Sequence, residues 1–143
     1  MTAAFEIRKI EEARDYVRDK SNETQVWVVV LVVGDKLQLS RKGKDYDELF
    51  THLGPEDMAF AYAKIITGDE VSKREKFVLI CWAGSDVSNV KRGKMMTLRS
   101  EIDKIFDQRA KAIEASDHSD LELSKVKEAL IKAGGADYGT STS

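Results

Sequence analysis

The chain has 143 residues, 42% of them hydrophobic and 34% charged, with a formal net charge of −2. That length suits one domain, here taken as 1–143, with a real core, and the near-neutral balance excludes a globally basic nucleic-acid or membrane-surface binder. The single cysteine, Cys81, permits no internal disulfide, and the longest apolar run, Val26 to Val33, is far short of the ~20 residues of a membrane helix.

From Phe5 to Asp19, Ile7, Ile10, Ala13, Tyr16 and Val17 recur at helical spacing with charges between them, which predicts an amphipathic first helix. Its start, MTAAFEIRKIEE, is charged too early for a signal peptide, so a cytoplasmic protein is expected. Gln25 to Val33 is valine-rich and apolar on both faces, as suits a strand covered on both sides. Gly34-Asp35 turns it into a more polar edge strand, Lys36 to Ser40. Tyr46, Leu49, Phe50 and Leu53 then predict a short helix stopped by Gly54-Pro55.

The stretch Met58 to Gly84 organises the rest. Phe60, Tyr62 and Ile66 alternate with Ala59, Ala61, Ala63 and Ile65; Phe77, Leu79 and Cys81 alternate with Val78, Ile80 and Trp82. Two period-two runs joined by the polar Thr67–Ser72 predict a mid-sheet antiparallel hairpin. Beyond Gly84, Asp86 or Ser88 can cap a long helix whose apolar stripe is Leu98, Ile102, Ile105 and Phe106; Gly93 predicts a kink or loose winding in its first half. By composition alone QRAKAIEA, from Gln108, extends that helix. The last helix, Asp120 to Ala133, presents Leu123, Val126, Leu130 and Ala133, with Gly134-Gly135 as its stop and a disordered tail over 138–143.

Catalytic and metal signals are weak. Neither His52 nor His118 has a cysteine or second histidine at ligand spacing, and GDE in the hairpin lacks the lysine and helix of a phosphate loop. Asp69 and Glu70 read as a solvated turn that pairs with Arg74, and Cys81 reads as a buried strand residue. No enzyme activity, cofactor or metal is expected. Two basic clusters remain: Lys73, Arg74 and Lys76 at the hairpin, and Lys91, Arg92 and Lys94 at the start of the long helix. Glu75, Asp69 and Glu70 dilute the first, which argues against a nucleic-acid backbone as its partner.

TGDEVSKREKFVLICWAG, with KRGKM after it and KAGGADYG near the C-terminus, resembles the coactosin branch of the actin-depolymerising-factor homology (ADF-H) family over essentially the whole chain. The resemblance implies an α/β fold of α+β type, a single domain with a central mixed sheet of about five strands and helices on both faces. It makes Gln108 to Ser116 a strand at the sheet edge, against the composition. It also implies filamentous actin as partner, with Lys73, Arg74 and Lys76 matching the coactosin signature and Arg92-Gly93-Lys94-Met95 matching a cofilin-like actin motif. The chain lacks the flexible serine-bearing N-terminus of cofilins, which favours side-binding and filament stabilisation or antagonism of capping over severing. Alternatives in other classes are an adaptor for another cytosolic protein, using Lys125, Lys127 and Lys132, and weak binding of phosphoinositide headgroups by the basic clusters. A monomer associated with the cytoskeleton is expected.

Overall fold

Side-chain alternation along the valine-rich run decides where the sheet sits. Val28, Val30 and Val32 point to one core and Trp27 and Val29 to another, so strand β1 (Trp27–Val33) is covered on both faces. In the computed structural model, which describes residues 2–21, 25–68 and 71–135, β1 pairs antiparallel with β2 (Lys36–Gly43) and with β3 (Met58–Gly68). Strand β3 pairs antiparallel with β4 (Lys73–Ala83), and β4 pairs parallel with β5 (Lys111–Ala115). The order is β2-β1-β3-β4-β5, one mixed five-stranded sheet with the predicted hairpin at its centre.

One face carries α1 (Ala4–Arg18), α2 (Asn89–Met96) and α3 (Arg99–Ile105). Ile10, Ala13, Val17, Met95, Leu98, Ile102, Ile105 and Phe106 pack there on Phe60, Tyr62, Leu79 and Cys81. The opposite face carries a 3-10 turn (Tyr46–His52) and α4 (Leu123–Gly135), which set Tyr46, Leu49, Val126 and Leu130 against Ala61, Ile65, Val78, Ile80 and Trp82. The two-sided apolar strands are thereby satisfied.

Several expectations shift in detail. Strand β2 continues to Gly43 after a register shift opposite Val29/Val30, rather than ending at Ser40. The short helix is 3-10, with Asp45 accepting from the Asp47 amide and Tyr46 and Leu49 buried at a spacing of three. Thr67 and Gly68 pair with Arg74 and Lys73, so the ladder runs into the stretch expected as a turn and as far as the start of the basic cluster. Gly68, at φ +94, is required there, because a Cβ would collide with the Ser72 carbonyl.

The long helix is two helices. Ser88 caps α2, and the break falls at Thr97-Leu98, where both amides bond back three residues, rather than around Gly93. The Thr97 hydroxyl bonds the Lys94 carbonyl at 2.6 Å, a competing local interaction that helps close α2 early. β5 is a strand, as the family resemblance implied and composition did not: pairing to the edge of β4 outweighs the helical preference of Ala, Lys and Glu. Asp117 caps a 3-10 turn, His118–Leu121, and α4 starts three residues later than expected and runs through Gly134 and Gly135 instead of stopping before them. The expected disordered tail, 138–143, lies outside the described residues.

Candidate functional site

The hairpin cluster divides by strand alternation. Register places Arg74 opposite Thr67 and Lys76 opposite Ile65, on the α4 face; Lys73, Glu75 and Phe77 lie opposite Gly68, Ile66 and Lys64, on the α1 face. Lys76 is half-buried, whereas Lys73 and Arg74 are exposed. A lysine in that position lays its aliphatic stem along the sheet and presents the ammonium outward. Lys111 of β5 pairs with Val78 and extends the cationic character of the α4 face. It lines an open groove with Lys125 and Lys132 of α4, which Glu128 partly neutralises through a 3.0 Å ion pair with Lys132.

Glu75 does not dilute this face. Its carboxylate is 3.3 Å from the Nζ of Lys64, a fully buried residue of β3 that also donates to the Asp19 carbonyl at the end of α1, at 2.8 Å. Lys64 carries no motif, but counting by twos from Phe60 and Tyr62 puts it on the covered α1 face, a signal the sequence did contain. Asp69 and Glu70, the expected partners of Arg74, lie outside the described residues.

The second cluster sits elsewhere. About 25 Å of strand separates Lys76 from Gly84, at about 3.3 Å per residue. Arg92 is committed there: its guanidinium donates to the Val87 carbonyl at 3.1 Å and the Gly84 carbonyl at 2.9 Å. Gly84 is wedged against the Gly54 and Pro55 carbonyls, where no Cβ fits, so Arg92 clamps the start of α2 onto the end of the hairpin. Lys91 and Lys94 are exposed on the same helix, beside the exposed Val90 and Met96.

Three other titratable groups are engaged within the fold. Burial pushes the Cys81 thiol up, against a thiolate nucleophile. Burial also works against the charged form of Asp103, but hydrogen bonds from Arg99 and Arg109 outweigh it and hold that carboxyl below its ordinary range. His118 lies beside Phe50 and Trp82, with Nε2 2.6 Å from the Leu53 carbonyl. Among the described residues, no group of three or more His, Cys, Asp or Glu side chains is arranged to hold a metal, and no helix is long and apolar enough to cross a membrane.

A five-stranded mixed sheet with helices on both faces thus presents two separate basic surfaces, one at the start of β4 and one on α2. The sequence matches the family described as cofilin/tropomyosin-type actin-binding protein over residues 6–131, and the chain belongs to that family. It is 34% identical to the coactosin-like protein of Bos taurus over 130 residues, 91% of each chain. A crystal structure of human coactosin-like protein superposes with a TM-score of 0.81 at 30% identity, covering 87% of this chain and 95% of that one. The solution structure of mouse coactosin, described as an actin filament binding protein, gives 0.74 at 32% identity over 95% of both.

Proposed function

We propose that the protein binds along the sides of actin filaments and regulates their stability or capping without strong severing, as a cytoplasmic monomer associated with the cytoskeleton. Lys76 is the principal contact, with Arg74 beside it on the α4 face and Lys73 contributing least. Lys91 and Lys94 form a second contact, and Arg92 supports it by holding α2 in place. The observation that carries this reading is the cationic surface of β4 and α4, with the carboxylate that stands between Arg74 and Lys76, Glu75, on the other side of the sheet. A cation on a paired strand loses less conformational entropy on binding than one on a loop, which favours Lys76 as an anchor. The similarity to mouse coactosin, described as binding actin filaments, supports filaments as the form recognised.

Co-sedimentation with filamentous actin over a salt series tests the reading. The protein should pellet with filaments, more weakly as salt rises, and filaments imaged at saturating protein should keep their length distribution. Absence from the pellet at low salt overturns filament binding. Rapid fragmentation overturns side-binding without severing.

A further inference from the structure

We propose that Lys64 is a positioning residue for filament binding: by pairing with Glu75, which the strand already directs to the α1 side of the sheet, it holds that carboxylate away from Arg74 and Lys76 on the opposite side of β4. The inference rests on the filament reading above and assigns a role to a residue that touches no filament.

Lys64 occupies the middle of the sheet, fully buried between Tyr62 and Ile66 along β3 and directly opposite Phe77 of β4. A cation there is expensive, since desolvation is repaid only by good partners, and an apolar residue of similar volume often serves stability as well or better. Its partners are arranged to retain it. The Asp19 carbonyl stands at the end of α1, where the helix dipole favours a cation, and the Glu75 carboxylate completes the pair. The Asp19 side chain is engaged locally instead, accepting from the amide and hydroxyl of Ser21 at 2.9 Å each.

The consequence falls on β4, where Glu75 stands between Arg74 and Lys76 in sequence. A carboxylate free to turn around the strand would lie within the ~8 Å screening length of both neighbouring cations and weaken their attraction for an acidic partner. Lys64 neutralises that charge from inside the protein. The basic surface is thus set up partly by an ion pair whose cation is buried and whose carboxylate reaches the surface.

The test is co-sedimentation at low and physiological salt, with thermal melts, on Glu75→Gln, Lys64→Met and Lys64→Met/Glu75→Gln. Glu75→Gln should bind filaments within about twofold of the unmodified protein, because its charge is already neutralised. Lys64→Met should bind about three- to tenfold more weakly at low salt, and the double variant should regain most of that loss. Glu75→Gln binding severalfold tighter shows that Glu75 is not sequestered and overturns the proposal, whether or not Lys64→Met folds. A folded double variant no better than Lys64→Met overturns it too, leaving Lys64 a structural residue. If the unmodified protein does not pellet, the filament reading itself has failed, an outcome distinct from either of these.

Discussion

The basic residues at the start of β4 and those at the start of α2 are equal in number and similar in spacing, yet the fold holds them by different means. At β4 the cations are sorted by strand alternation onto two faces and backed by a ladder that reaches Lys73. At α2 the middle cation, Arg92, is turned inward onto two carbonyls, and Lys91 and Lys94 ride an eight-residue helix that ends at Met96. Two short runs of lysine and arginine are therefore not equivalent in how the fold presents them. The first lies on a paired strand with Glu75 bonded to Lys64 on the other face, and the second lies on a short helix whose arginine is bonded to the Gly84 and Val87 carbonyls.

Removing the platform should have the largest effect. Ile80→Ala, in the buried middle of β4, should cost about 2–5 kcal/mol of stability in a denaturant melt, as for other packed core truncations. A cost near zero breaks the comparison, because β4 would then not be the rigid support assumed for Lys76. Next, Lys76→Ala should severely weaken pelleting with filaments, by about 2–5 kcal/mol if its partner charge is buried at the interface, with a nearly unchanged melt. A well-folded Lys76→Ala variant that pellets like the unmodified protein makes Lys76 a solvated strand-end cation only.

Arg92→Ala sharpens the contrast from the other side. Leaving the Gly84 and Val87 carbonyls without their donor should lower stability by about 1–3 kcal/mol, seen as an earlier melt, before any effect on actin is considered. An unaltered melt with lost pelleting would instead return Arg92 to the contact surface. Lys91→Ala with Lys94→Ala should leave the melt unchanged and act on filament association rate and its salt dependence, as rim charges do.

The smallest effect is a control in α3. Asp103 has its pKa lowered in the folded protein by Arg99 and Arg109, so its pairs stabilise the fold above the ordinary carboxylate range and are lost as pH falls through the lowered value. Asp103→Asn should flatten the fall in melting temperature below about pH 4 without changing filament pelleting at neutral pH. A matching loss of pelleting would tie this end of α3 to the binding surface and erase the division between the two regions.

Much of the fold was legible in the chain because period and composition agreed. Alternation through Met58 to Ile66 and Phe77 to Trp82 assigned each side chain to its core, and the helical spacing of Ile10, Ala13 and Val17 assigned α1. Lys111–Ala115 was different: its alanines, lysine and glutamate favour helix locally, and only the open edge of β4 makes it a strand. The six basic residues of the candidate site were likewise visible as charge, but their roles were not. Sequence adjacency set Glu75 against Lys76, while the pleat sends them to opposite faces and Lys64 reaches Glu75 from the neighbouring strand. Arg92 looked like a surface cation until the return of the chain at Gly84 brought two carbonyls within its reach. Local pattern determines which face a side chain leaves from; what waits for it on that face is set by segments distant in sequence, and a charge is neutralised or presented according to that partner.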